Sequence, residues 1–131
     1  MGEVRGPEAI DLLQAYNTGH AGGLSTGHAN SPADMLNRLE TMVLMGMDIP
    51  LSAVQRQIAS ALDIIIHLGR LADKSRRVLE ISEVLGYEDG QIQLQTLYRF
   101  QEEGRKHGKI QGSLMKENEL FHREKLLAAG Y

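Results

Sequence analysis

The chain contains no cysteine and no tryptophan. The first absence excludes disulfides, thiolate zinc sites and thiol nucleophiles, and it fits a reducing cytoplasm. The second, with aromatic residues at only 5%, leaves any core to aliphatic side chains and six methionines. No apolar run approaches the ~18 residues of a membrane-spanning helix. The longest runs lie around residues 42–47 and 64–66. The opening MGEVRGPEAI lacks the apolar stretch of a secretory signal. A formal net charge of −3 gives no general attraction to nucleic acid or acidic lipid, so no nucleic-acid partner is expected, and the short apolar runs lead to the expectation of no transmembrane segment. GxxxxGK[ST], GxSxG and HExxH are also missing. Gly22-Gly23 lacks the Lys and Ser/Thr that would complete a phosphate cradle.

What is present is ordinary for a soluble globular chain: 131 residues, 42% hydrophobic and 24% charged, one domain or part of one. Gly6-Pro7 opens a helix, because proline suits the first helical position. Glu8 and Asp11 fall in its first turns, where the helix dipole favours acids. Ala9, Leu12, Leu13 and Tyr16 follow the i, i+3, i+4, i+7 pattern, and Asn17 and Gly19 end it. Residues 19–28 combine a glycine-rich turn with a short possible strand at 24–28. Ser31-Pro32-Ala33-Asp34 then starts a second helix, with Ser31 as cap. Its inner face carries Leu36, Leu39 and Val43, and Gly46 stops it. Asp48-Ile49-Pro50 starts a third helix, with Leu51, Val54, Ile58 and Leu62 facing inward.

The pattern changes after residue 62. Residues 62–68 read as a continuous apolar strand buried on both faces. Asp73-Lys74 makes a turn and residues 77–84 a second strand. Glu88-Asp89-Gly90 is a hairpin signal. Residues 91–100 then alternate, with Ile92, Leu94, Thr96, Tyr98 and Phe100 on one side and Gln91, Gln93 and Gln95 on the other. Residues 101–112 are polar and read as a loop, and residues 114–129 as a final helix. The expected organisation is therefore residues 1–100 as one portion and 101–131 as a loop with a helical tail.

Chemistry concentrates near the start. Glu3 stands in Gly2-Glu3-Val4-Arg5, where a strand ends and a helix begins. Ligands of open α/β sheets bind at such strand ends, and a carboxylate there can orient a water for attack on a phosphoryl group. The same four residues also fit a solvated glutamate beside an arginine. His20 and His28 flank the glycine-rich turn and lead into Ala29-Asn30-Ser31. Two histidines eight residues apart make at most a weak metal site, and they equally suit a polar turn. Arg76-Arg77 reads as a solvated strand end.

Taken together, the GEVRGPEA and GH…STGHANS segments, in order along residues 2–100, resemble the second half of the motor domain of type II/IV secretion ATPases. The nearest branch is the CpaF-like ATPases of tight-adherence (Flp) pili. The resemblance implies an α/β fold, the C-terminal part of a RecA-like P-loop NTPase domain with an antiparallel β meander. It implies that GEVR ends the Walker B strand and that Glu3 is the catalytic glutamate positioning the attacking water and the magnesium shell. It makes His28 the His-box histidine near the γ-phosphate, with Asn30 and His20 in supporting positions and Arg5 also nucleotide-associated. No metal ligand set of the chain's own is implied; magnesium would come through Glu3.

The resemblance further implies ATP and magnesium as cofactors and a homo-hexameric ring. It implies inner-membrane secretion or pilus platform proteins as partners, and a cytoplasmic location peripheral to the inner membrane. The family's P-loop lies before the Walker B strand, and no GxxxxGK[ST] occurs in these 131 residues. The chain is therefore expected neither to bind ATP tightly nor to hydrolyse it alone. The alternative is a non-enzymatic interaction module that pairs with or regulates an intact ATPase ring. A third reading is a small metal-binding protein using His20 and His28.

Overall fold

The structure, a computed structural model, describes residues 2–18 and 22–131. Two compact units divide the chain: Met1–Asp63 with Gly86–Leu94, and Ile64–Leu85 with Gln95–Tyr131.

Three helices make up most of the first unit: α1 (Ala9–Asn17), α2 (Pro32–Gly46) and α3 (Leu51–Ala61). They pack on one another around Ala9, Leu12 and Leu13 of α1, Leu36, Leu39 and Val43 of α2, and Val54 and Ile58 of α3. Each large aliphatic side chain removed from water here contributes roughly 1.5–3 kcal/mol. Helix α2 starts where its sequence dictates. Ser31 is extended, its Oγ accepts the Asp34 N–H at 3.0 Å, and Pro32 fills the first turn. Helix α3 corrects one expectation: Leu51 is exposed and Leu62 lies beyond the helix end, so Val54 and Ile58 carry its buried face. A parallel bridge joins Glu3 to Thr26. The Val4 N–H donates to the Thr26 carbonyl at 2.8 Å, and the Thr26 N–H donates to the Gly2 carbonyl at 2.9 Å.

The rest of the chain forms an antiparallel meander, of which Gly86–Leu94 belongs to the first unit: β1 (Ile64–Arg70), β2 (Arg76–Glu88), β3 (Gln91–Lys106) and β4 (Lys109–Lys116), in that order across the sheet. Helix α4 (Glu124–Ala128) follows. Ile66 pairs with Ile81 between β1 and β2, and Phe100 with Leu114 between β3 and β4. Asp73, in the β1–β2 turn, accepts the Ile110 N–H at 2.7 Å, and Arg77 donates to the Ile110 carbonyl at 2.9 Å. Those two bonds hold the buried start of β4.

Several expectations for this half are corrected. Residues 101–112 are not a loop: β3 runs to Lys106 and β4 begins at Lys109. Nearly every side chain there is exposed on both faces, so only weak alternation marks the strands. Residues 114–129 are not a helix: β4 continues to Lys116 and only Glu124–Ala128 is helical. The segment between them is held by backbone bonds to the sheet, including the Glu117 N–H to the Leu97 carbonyl at 2.8 Å. Strand β1 is an edge strand with Ile64, Ile66 and Leu68 exposed, not a strand buried on both faces. In β3 the glutamine side continues into Leu97, which is the buried residue there. Among the described residues no helix is long and apolar enough to cross a membrane.

The Asp89-Gly90 turn is where the sequence places it. Both residues have positive φ, 53° and 77°, which is the two-residue geometry that matches strand twist. A Gly90→Val variant forces a β-branched residue into that region at a cost of roughly 1–2 kcal/mol. We expect a clear drop in the thermal unfolding midpoint. An unchanged midpoint would show that this turn does not set the register of β2 and β3.

Candidate functional site

The site grows from the extended segment at residues 2–4, which forms an isolated bridge. Paired on one side with Thr26, it buries Val4 and leaves the Glu3 side chain 18% exposed at its end. One Glu3 oxygen, Oε2, accepts from the Arg5 Nε; the other, Oε1, faces the His28 Nε2. The carboxylate is thus held from both sides. Its partners are open, with Arg5 80% and His28 88% exposed.

His28 reaches this point because the strand before it lies close to its neighbours. A side-chain carbon at Gly27 would come within 2.8 Å of the Met35 methyl group, so glycine lets the segment pack under α2. Just after the strand, the Glu8 Oε1 accepts the N–H groups of Arg5 at 3.0 Å and of Gly6 at 3.2 Å. The Arg5 N–H does most to hold the Glu8 carboxyl below the usual glutamate range.

Of the five residues singled out from sequence, Glu3, Arg5 and His28 come together. Asn30 sits apart from them at the start of α2. Its N–H donates to Asp34 Oδ2 at 3.0 Å, and the same oxygen takes Arg38 Nε at 2.9 Å. The Asn30 N–H first, and Arg38 next, lower the Asp34 carboxyl. His20 lies outside the described residues. Among the described residues no group of three or more His, Cys, Asp or Glu is placed to hold a metal ion. Glu8 was read from sequence only as a favourable charge at a helix start. Its position, five residues after Glu3 and one after a Gly-Pro pair, was the available signal for its contact with the strand end.

A cluster of one carboxylate with an arginine and a histidine, at a strand end, can orient a water and meet an anion. Comparison with known proteins gives this arrangement a setting. The family model described as type II/IV secretion system protein matches residues 1–119. A putative conjugal transfer protein of Mycobacterium tuberculosis is 40% identical over 98 residues, covering 75% of this chain and 27% of the relative. The conjugal transfer protein TrbB of Rhizobium radiobacter is 35% identical over 103 residues, 79% of this chain and 31% of the relative. Among solved structures, the VirB11 ATPase from the Brucella suis type IV secretion system, in complex with sulphate, matches with a TM-score of 0.57. Identity is 28%, over 61% of this chain and 25% of that one. The chain thus spans about a quarter to a third of the length of these relatives. It belongs to the type II/IV secretion ATPase family, with the mixed α/β fold of part of a RecA-like P-loop domain and its antiparallel meander.

Proposed function

We propose that these residues form the hydrolytic side of an ATPase motor that powers type II/IV secretion, in the branch that assembles Flp-type pili. The carrying observation is the Glu3 carboxylate, fixed at a strand end with Arg5 and His28 on its two oxygens. In this reading Glu3 is the Walker B glutamate and His28 the histidine of the His box. Asn30 and His20 take supporting positions. ATP would supply the phosphoryl group, and magnesium would neutralise charge on it.

The donor set fits one side of a phosphate. Glu3 is an acceptor able to orient a water, while His28 and Arg5 offer donors to phosphate oxygens. It does not by itself fit a whole nucleotide. No GxxxxGK[ST] occurs in these 131 residues, and backbone N–H groups and a lysine are what hold β- and γ-phosphates. Glu3 would offer magnesium one carboxylate, and the ion would neutralise charge on the phosphate. The family membership supports a homo-hexameric ring, working at the cytoplasmic face of the inner membrane against secretion or pilus platform proteins.

The test compares two proteins. The 131-residue chain alone is expected to show neither tight magnesium-ATP binding nor turnover above background. Joined behind an N-terminal half that carries a GxxxxGK[ST] cradle, it is expected to hydrolyse ATP. His28→Ala should then lower turnover about 100- to 1,000-fold, the scale for one donor to developing charge. Robust turnover by the isolated chain would sink this reading. Silence of the joined protein would instead favour a non-enzymatic module that pairs with or regulates an intact ring.

A further inference from the structure

We propose that Glu8 is a positioning residue for this site: its carboxylate fixes the turn at Arg5-Gly6 and thereby sets where Arg5 meets Glu3. The inference rests on the hydrolytic reading above.

The Glu8 side chain reaches back three residues, as the acid of a capping box does. Glu8 occupies the N-cap of α1, yet its side chain makes no capping bond into the helix. It turns back instead and takes two N–H groups from the segment between Glu3 and the helix, Arg5 at 3.0 Å and Gly6 at 3.2 Å. Gly6 is buried, so its N–H cannot turn readily to water, and a buried donor without an acceptor is costly. A side-chain carbon at Gly6 would lie 3.3 Å from the Glu8 Oε2. Glycine at that position therefore leaves room for the carboxylate to close over the turn.

Arg5 is consequently held at both ends. Its backbone N–H goes to Glu8 and its guanidinium Nε to Glu3. With the Arg5 side chain 80% exposed, its bond to Glu3 and the fixed backbone are what limit where it swings. The backbone from Glu3 onward is tied on one side to Thr26 and on the other, through Arg5 and Gly6, to Glu8. The Glu8 charge also lies where the α1 dipole favours an anion. The same bonds keep the carboxyl below its ordinary value, so Glu8 stays ionised throughout the neutral range.

Two measurements test this. In the 131-residue chain, NMR follows the Arg5 and Gly6 amide protons as pH falls from 7 toward 2.5. Both should move together, with a shared midpoint below the ordinary glutamate value of 4.5, and the movement should vanish in Glu8→Gln. In the joined chain, Glu8→Ala should lower kcat about 10- to 100-fold with little change in KM, as a misplaced catalytic group does. Glu8→Gln keeps an acceptor oxygen in place and should restore most of kcat. Flat amides would overturn the proposal. So would Glu8→Ala turnover equal to wild type, or a Glu8→Gln variant as impaired as Glu8→Ala. If the joined wild-type chain has no turnover, the hydrolytic reading fails instead. The amide titration still decides whether Glu8 holds the turn.

Discussion

Glu3→Gln in the joined chain is expected to lower ATP turnover by about 100-fold or more, the scale of a lost general base or water-orienting group. The substitution keeps the shape and one acceptor oxygen but removes the charge. An amide neither accepts a proton from an attacking water nor holds Arg5 and His28 as a carboxylate does. The binding of nucleotide should change little, because the contacts that hold the phosphates lie in the cradle. The effect therefore falls on kcat and not on KM. Folding should survive. Both partners of Glu3 are largely exposed, and pairs with solvent-exposed charges contribute about 1 kcal/mol or less. Steady-state kinetics beside thermal unfolding of the same samples checks both halves of the claim. Turnover within a few-fold of wild type would remove Glu3 from the chemistry.

Much of the fold that positions this site was legible in the sequence, and the reasons are local. Ser31-Pro32 fixes a helix start through one cap bond and one preset backbone angle. Asp89-Gly90 fixes a turn because both residues must take positive φ. Leu36, Leu39 and Val43 repeat at helical spacing because one face of α2 is buried. The meeting of Glu3 with Arg5 and His28 was implied by the family resemblance and not by spacing, since residues 3 and 28 become neighbours only through the pairing of Glu3 with Thr26.

The misreadings share a physical cause: the sequence signal depends on burial, and burial in this half departs from the simple patterns. Strands β3 and β4 beyond residue 101 leave most side chains exposed on both faces, with Ile110 the buried exception. No period of two survives in residues 101–106 of β3, and GRKHGK reads as loop; β4 does alternate, but only weakly, through Ile110, Gly112 and Leu114. The His107-Gly108 turn that joins them has the same positive-φ pair as Asp89-Gly90, 54° and 74°. A polar neighbourhood concealed it. Strand β1 failed in the opposite direction. Its unbroken apolar run suggested burial on two faces, but it lies at the sheet edge with alternate residues exposed.

The largest stability effect should come from Glu83, a carboxylate within the apolar run of β2. It is 1% exposed. Oε1 accepts from the Gln95 amide and the Phe121 N–H, each at 2.8 Å, and Oε2 accepts the His122 N–H at 2.8 Å. Gln95 also donates to the Glu119 carbonyl at 2.9 Å, and the His122 ring contacts the Leu85 carbonyl at 2.7 Å. One buried acid thus ties the segment after β4 to β2 and β3. Glu83→Ala removes the acceptor of the Phe121 and His122 N–H groups and one of the two acceptors of the Gln95 amide. At roughly 1.5–3 kcal/mol for each hydrogen bond to a charged group, with water free to reach the exposed Phe121 and His122 segment, the loss should be about 2–4 kcal/mol. That is a large share of the ~5–15 kcal/mol typical of a whole domain.

The pH dependence has a definite sign. Burial pushes the Glu83 carboxyl up, but the N–H groups of Phe121 and His122 and the Gln95 amide outweigh it, and the group sits below its ordinary value of 4.5. A folded value below the unfolded one stabilises fully above about pH 4.5. That contribution is lost as pH falls through the folded value. Asp73 is lowered too, first by the Ser75 hydroxyl and then by the Ile110 N–H, so wild-type acid unfolding alone does not isolate Glu83. The stability gap between wild type and Glu83→Gln does, because Asp73 is common to both. Denaturant unfolding should show that gap wide at pH 7 and narrowing below pH 4.5, as the wild-type acid becomes neutral like the amide. A gap that stays constant down to pH 3 would mean that the charge on Glu83 is not what anchors the segment.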